Sequence, residues 1–389
     1  MIEVIPLGTG SALPSKDKHF SSIAVEVARE LFLFDCGEGT QHQLLHSSLR
    51  WSKLKAICIT HLHGDHYFGL PGLLSTLSLL RRETPLIVVG PVGIKSFIDT
   101  IPSRIPGDER SYEITFVELD HEIGGREVYL SDGCRIVSHA IQHSIPAYGY
   151  RLEEKDTPGN LDIEKVRALG IEDFADFRRL KAGEAVAFGA GQQLDPADVV
   201  TPASAGAAFA YITDTRPCNG GVELARDAQL VYHEATFIHA DLERAIKTTH
   251  ATALEAAQIA KDAGARQLII GHFSGRYRDA NLLVDEARLV FKNTEAAEEL
   301  KRYVLNGAVD LVDKDANFSG DTTSNEDTPA STTPAPEIHK LSSLKPAGLK
   351  STGLKPAGLK PTGLKPTALK SVATKSATPQ EKRPKPTKE

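Results

Sequence analysis

The stretch Thr60-His61-Leu62-His63-Gly64-Asp65-His66 decides the fold. It follows the apolar, partly β-branched run Ala56-Ile57-Cys58-Ile59, which is short enough to read as a buried strand. Gly64 is expected to let the chain turn sharply just past that strand. A strand ending in His-x-His-x-Asp-His presents three imidazoles and a carboxylate at one sheet edge. Neutral imidazole and carboxylate suit zinc and its neighbours in the transition series. Four donors in six residues exceed what one tetrahedral catalytic ion with an open position takes. The arrangement therefore points to two metals side by side. The competing reading is a solvated, histidine-rich loop, and the position directly after a strand argues against it.

Around this stretch the composition is that of an ordinary globular protein. The chain has 389 residues and a formal charge of −6. Its last stretch, Glu337–Glu389, has twelve Lys and Arg against three Glu, so the remainder carries about −15. An acidic body is not a general nucleic-acid binder; RNA binding would need a local basic patch or an appended arm. The four cysteines, Cys36, Cys58, Cys134 and Cys218, form no C-x-x-C pair and read as reduced, buried thiols. No basic start precedes an apolar core at the N-terminus, and the apolar stretch Leu70–Leu80 is too short to span a bilayer. A soluble, cytoplasmic protein without a membrane partner is expected.

In chain order, Ile2–Leu7 reads as a first strand entering the turn Gly8-Thr9-Gly10-Ser11. The polar loop Pro14-Ser15-Lys16-Asp17-Lys18-His19 comes next. Ile23–Val27 and Leu31–Phe34 alternate as a hairpin around Arg29-Glu30, and Asp35-Cys36-Gly37-Glu38-Gly39 leads into a helix. Leu70–Arg81 reads as a helix with a broad apolar face, Leu86–Val89 and Ile114–Leu119 as strands, and Arg126–Leu130 and Arg135–Ser138 as further strands. This order predicts an α/β fold of two packed sheets with helices outside. Two histidines, His139 and His143, compete as the next ligand. Glu153 to Pro202 is a polar insertion containing Lys165, Arg167, Arg178, Arg179 and Lys181. Ala208–Ile212 runs into Thr213-Asp214-Thr215, Leu230–Tyr232 into His233-Glu234-Ala235-Thr236, and Gln267–Ile270 into Gly271-His272. Thr252 and Glu255 form a capping box that starts a helix just after His250. From Lys314 the composition turns to Ser, Thr, Pro, Asp and Asn, then to Leu-Lys-Pro-Ala-Gly repeats of period five, which form no core. This tail is expected to be disordered.

The metal stretch is the signature of the metallo-β-lactamase superfamily. With its continuation Tyr67-Phe68-Gly69-Leu70-Pro71-Gly72-Leu73-Leu74, the chain more narrowly resembles ribonuclease Z, the endonuclease that trims the 3′ end of precursor tRNA. The resemblance covers about Met1–Asp313. It implies a four-layer αββα sandwich at 1–313, an inserted, flexible tRNA-gripping arm at 153–202, and leaves 314–389 as an appended tail whose charge adds non-specific RNA contacts. It implies two zinc ions per subunit. His61, His63 and His143 would hold one, Asp65, His66 and His272 the other, and Asp214 would bridge them. His143 is selected over His139 because it lies six residues before Gly149-Tyr150. Asp65 would also orient or deprotonate the nucleophile, and His250, assisted by Glu234, would protonate the departing oxygen. Lys16, Lys18, Arg178, Arg179, Lys181 and Arg276 would contact RNA, and the subunits would form a homodimer.

Three departures from the family pattern stand out. Lys18-His19 replaces an Arg-Asn pair, removing a guanidinium fork. Ile171-Glu172-Asp173-Phe174-Ala175-Asp176-Phe177 replaces a Gly-Pro-rich arm stretch, and its acidic residues would repel phosphate. Ala251 replaces the serine of a His-Ser-Thr motif. Another hydrolase of the superfamily, acting on small phosphodiesters, sulfates or β-lactams, and a catalytically silent RNA-binding protein that kept the fold are the rival readings. The arm argues against the first, and the full ligand set against the second.

Overall fold

The computed structural model describes residues 1–101, 111–120 and 124–307. The predicted C-terminal tail lies outside the described residues. Two seven-stranded sheets form the centre. In the first, the strands run in the order Tyr303–Leu305, Ile2–Gly8, Ser22–Val27, Glu30–Phe34, Leu54–Cys58, Leu86–Pro91, Ile114–Leu119. The second runs Thr294–Ala296, Leu268–Gly271, Leu230–Glu234, Ala208–Ile212, Ala147–Glu154, Cys134–Ile141, Arg126–Leu130.

Period-two alternation explains the layering. In Glu30–Phe34, Phe32 and Phe34 face the other sheet and pack with Tyr150, Phe209, Tyr211 and Tyr232. Leu31 and Leu33 face outward and pack with Leu70, Leu73 and Leu77 of the helix Leu70–Leu79. On the far side, Ala210, Ile212, Val231 and Ile270 pack against Ala253, Ala256, Ala257 and Ala260 of Ala253–Asp262. The small alanine face lets that helix sit close to the sheet. These three cores separate four layers, helix, sheet, sheet, helix, as the two-sheet reading requires. The predicted capping box is present: Glu255 N–H donates to Thr252 Oγ1 (3.3 Å) and Thr252 N–H to Glu255 Oε2 (2.9 Å).

The insertion at 153–202, polar in composition, has secondary structure and a core of its own. It folds into helices Ile163–Ala168 and Phe174–Lys181, a hairpin of Val186–Phe188 with Gln192–Leu194, and the turn of helix Pro196–Val199. Val166, Ile171, Phe177, Leu180, Val186, Leu194 and Val199 form its own core. The stretch that lacks Gly and Pro thus has a structural task. Ile171 and Phe177 fill the core, and Asp173 caps the helix by accepting from Ala175 N–H at 2.8 Å.

The chain turns at Gly64, as expected. The residue opens a helical turn, Gly64–Tyr67, with no left-handed backbone. A Cβ there would lie 2.4 Å from the exposed Phe68 ring, which would have to move aside. The close approach that shapes the site is at Gly37, where a Cβ would lie 2.4 Å from the carbonyl oxygen of Asp65.

Candidate metal centre

All seven expected ligands converge at the ends of strands on one edge of the sandwich. Tyr150 OH donates to Ile59 O (2.7 Å) and Tyr148 N–H to Thr60 O (2.9 Å), so the second sheet fixes the turn leaving the first. Asp35, Asp214 and His272 follow strands and have φ of 60°, 47° and 56°. Left-handed backbone is rare for residues other than glycine and costs about 1–3 kcal/mol each. Here it turns each side chain back into the edge of the sandwich.

The donors form two groups. His61 Nε2, His63 Nδ1, His143 Nε2 and Asp214 Oδ2 make the first. Its separations are 3.0 Å for His61–His63, 3.2 Å for His63–His143, 3.5 Å for His61–Asp214 and 4.0 Å for His143–Asp214. Asp65 Oδ2, His66 Nε2, His272 Nε2 and Asp214 Oδ1 make the second. His66 lies 3.5 Å from Asp65 and 3.4 Å from Asp214; His272 lies 3.8 Å and 3.0 Å from the same two. Ligands about 2.0–2.1 Å from a tetrahedral zinc are roughly 3.4 Å from one another, so both groups fit such an ion. Asp214 gives one oxygen to each group, which an imidazole cannot do.

Orphaned polar atoms support the fit. His66 Nε2 and His272 Nε2 are buried without a hydrogen-bond partner. Their other nitrogens are anchored, His66 Nδ1 to Asp35 Oδ2 at 2.7 Å and His272 Nδ1 to Thr236 Oγ1 at 3.0 Å. His61 Nδ1 meets Thr60 Oγ1 at 3.0 Å, and His143 Nδ1 donates to Thr249 O at 3.0 Å. Each of these four rings thus turns Nε2 toward the centre. Burial holds His61, His63 and His143 below the ordinary imidazole pKa, so they are neutral and offer lone pairs. Burial opposes charge on His66 and His272 too, but the carboxylates outweigh it and raise both, His272 to about 10. Asp65 and Asp214, despite burial, are driven far below the usual carboxylate range by these same histidines. In the second group two carboxylates face two imidazoles, a cage that favours positive charge where a cation would sit.

Beside the cage lies an acid–base pair. His250 Nδ1 is 3.1 Å from Glu234 Oε1 and 4.0 Å from Asp214 Oδ2. Glu234 is fully buried and also accepts from Thr215 N–H (2.6 Å) and Thr236 Oγ1 (2.6 Å). Burial disfavours the imidazolium, but Glu234 and Asp214 more than compensate and raise the pKa of His250. His139 does not enter either group; its Nδ1 meets Ala140 O at 3.1 Å. A cleft of about 540 Å³ opens beside His143, lined by Ile141, Gln142, Pro146 and Cys218 among others.

The expected RNA contacts divide. The loop carrying Lys16 and Lys18 reaches the cage, because Ala12 N–H donates to Asp65 Oδ2 at 2.8 Å. Lys16 is exposed, and Lys18 Nζ lies 4.3 Å from the Phe273 ring centre, beside His272. Arg276, on the same rim, is exposed and forms no ion pair among the described residues. Arg178, Arg179 and Lys181 sit on the arm helix Phe174–Lys181. Arg179 is engaged with Asp176 (3.3 Å) and Glu184 (3.2 Å).

Sequence reasoning missed three residues. Glu299 ties the first loop down, accepting from Thr9 N–H (3.1 Å), His19 N–H (2.8 Å) and Gln43 Nε2 (3.2 Å). Thr236 joins Glu234 to His272. Arg216 donates to His250 O at 2.6 Å. The place of Arg216, two residues after Asp214, and that of Thr236, two residues after Glu234, were signals; Glu299 had none.

A family model described as the anti-Pycsar protein Apyc1 matches residues 2–94, less than half of the chain. The chain is 44% identical over 306 residues to ribonuclease Z of Salinibacter ruber, covering 78% of this chain and 95% of that one. It is 41% identical over 309 residues to ribonuclease Z of Geobacillus kaustophilus, covering 78% and 99%. Among solved structures, the short form of human tRNase Z is similar with a TM-score of 0.57 and 28% identity, over 78% of this chain and 99% of that one. The Bacillus subtilis metallo-β-lactamase fold protein YhfI, at 17% identity, 78% and 98% coverage and a TM-score of 0.55, shares the fold. At these identities over nearly the whole length of the first two relatives, the chain belongs to the ribonuclease Z family of metal-dependent endoribonucleases with the metallo-β-lactamase fold.

Proposed function

We propose that this chain is a zinc-dependent endoribonuclease that removes the 3′ trailer from precursor tRNA. It leaves a 3′-hydroxyl on the tRNA and a 5′-phosphate on the trailer. The observation that carries this reading is the pair of donor groups sharing Asp214, with His250–Glu234 alongside at 4.0 Å. His61, His63, His143 and Asp214 would hold one zinc ion, and Asp65, His66, His272 and Asp214 a second. Bound there, the ions would supply Lewis acidity, lowering the pKa of a bound water and offsetting charge on the phosphodiester.

The chain's own groups complete the hydrolysis. Asp65, pinned by Ala12 N–H, orients the water and accepts its proton as the oxygen bonds to phosphorus. The bond from phosphorus to the 3′ oxygen breaks, and His250 gives that oxygen its proton from the imidazolium that Glu234 sustains. Lys16, Lys18 and Arg276 face RNA near the cut, and exposed Arg178 and Lys181 present charge from the arm. A cytoplasmic homodimer, in which one subunit's arm serves the other's site, completes the proposal. Among the described residues, no helix is long and apolar enough to cross a membrane.

The test is cleavage of precursor tRNA transcripts, with and without an encoded CCA, by zinc-loaded protein. Cutting just after the discriminator base, abolished by Asp65→Ala, is the expected result. Hydrolysis of small phosphodiesters with no activity on precursor tRNA would refute the reading in favour of a small-diester hydrolase.

A further inference from the structure

The tripeptide Asp214-Thr215-Arg216 touches three parts of the centre at once. Asp214 gives an oxygen to each donor group. Thr215 N–H donates to Glu234 Oε1 at 2.6 Å. Arg216 Nη1 donates to His250 O at 2.6 Å and to Glu255 Oε2 at 2.8 Å, and its Nη2 bonds Glu255 Oε1. Arg216 N–H also donates to Gln142 O at 2.8 Å, next to His143. Glu255 is in turn held by the capping box, since its Oε2 accepts Thr252 N–H.

The His250 main chain is held at its N–H by Ala245 O (2.9 Å) and at its carbonyl by Arg216. His250 follows Thr249, whose φ is 57°, and precedes Ala251, which has no polar side chain. The ring itself has one side-chain hydrogen bond, to Glu234. A planar guanidinium with two donors on one carboxylate and one on a carbonyl fixes both distance and angle, which a lysine ammonium does not. The Arg216 side chain is mostly buried, at 15% exposure, so its bonds are poorly replaced by water.

We propose that Arg216 is a positioning residue for proton delivery, holding the His250 main chain at a fixed distance from Asp214 so that the imidazole stays aligned with the departing oxygen. Arg216 does not touch the reacting atoms. This rests on the role given to His250 above, and the experiment separates the two ideas.

The probe is a precursor tRNA whose scissile linkage carries sulfur in place of the 3′-bridging oxygen. A thiolate departs without a proton, so a variant impaired only in proton delivery recovers on this substrate. On the oxygen substrate, His250→Ala should lower kcat by about 10²–10⁴-fold, the usual range for general acid catalysis. Arg216→Gln should lower it by at least about tenfold with KM little changed, and Arg216→Lys should recover part of the loss. On the sulfur substrate, His250→Ala and Arg216→Gln should both come within about threefold of the parent. Zinc content and thermal unfolding on the same preparations exclude a lost fold. If Arg216→Gln is slow on both substrates while His250→Ala recovers, the positioning role is overturned and that of His250 stands. An Arg216→Gln variant as fast as the parent on the oxygen substrate overturns it too. If His250→Ala is slow on both, the acid role of His250 itself falls.

Discussion

Replacing Asp35 by Asn tests how the cage is held open for a cation. Asp35 is fully buried, and its carboxylate receives four contacts. Oδ1 accepts from Thr60 N–H at 2.8 Å, and Thr60 Oγ1 lies 3.0 Å from both oxygens. Oδ2 accepts from Tyr211 OH at 2.9 Å and from His66 Nδ1 at 2.7 Å. The Thr60 hydroxyl, donating to Asp35, is left to accept from His61 Nδ1. One carboxylate therefore fixes the tautomer of a ring in each donor group, directly for His66 and through Thr60 for His61. Asparagine has the same shape but only one accepting end. With its NH₂ toward His66, two donors face each other, and the imidazole must place its proton on Nε2, the atom a metal needs. With its NH₂ toward Thr60, a buried backbone N–H loses its acceptor. A buried donor left unpaired costs about 1–3 kcal/mol, so neither orientation is free of penalty. Removing an anchor behind a metal-binding histidine weakens affinity by about 10–100-fold. The expected outcome for Asp35→Asn is zinc binding weakened by about that factor, measured by competition with a chromophoric chelator, while thermal unfolding shows an intact fold. Zinc affinity within about twofold of the parent would refute the assignment, since the loss should be at least tenfold.

Two further predictions follow from features away from the cage. Residues 157 and 204 are joined by two backbone hydrogen bonds, Thr157 N–H to Ser204 O and the reverse, each 3.0 Å. Joining them by a Gly-Ser turn should remove the arm, leave hydrolysis of bis-(p-nitrophenyl) phosphate unchanged, and raise KM for precursor tRNA; unchanged KM would contradict a substrate-gripping arm. Burial raises the thiol pKa of Cys36 and Cys134, each to about 12 from the ordinary 9.0, and raises that of Cys58 as well. A raised thiol pKa means the folded state keeps a proton that the unfolded chain releases, so this stability is intact below pH 9 and falls as pH rises toward 12. Correspondingly, a disulfide reagent at pH 8 should modify half-buried Cys218 and reach the other three only after denaturation. Rapid reaction of all four thiols would contradict the burial.

The lessons of the sequence differ between strands, ligands and supports. Strand ends were readable because Ala56–Ile59, Ala208–Ile212 and Gln267–Ile270 are short apolar runs with a donor directly behind each. The two sheets followed from the order of those runs, whereas the burial of both faces of Leu31–Phe34, which is apolar at every position, emerged from the structure. What stayed hidden depends on partners distant in the chain. Glu299 meets Thr9 across 290 residues, and nothing local marks either as paired. The left-handed backbone at Asp35, Asp214 and His272 was hidden because Asp and His, although enriched there, adopt it at only a minority of positions. The arm misled for another reason. Its buried residues, such as Val166, Ile171 and Leu180, are few and separated by charges, so its polarity masked a small core.

The order of the donors along the chain bears on how the enzyme comes into being during synthesis. His61, His63, His143 and Asp214 have all left the ribosome long before His272, so the first donor group can be complete while the second lacks one imidazole. The strand Ile2–Gly8 waits longer still, since its outer neighbour is Tyr303–Leu305. Synthesis thus delivers the four donors of the first group before the last imidazole of the second. A nascent chain cut short ahead of Leu268 holds the four donors of the first group and lacks His272 of the second.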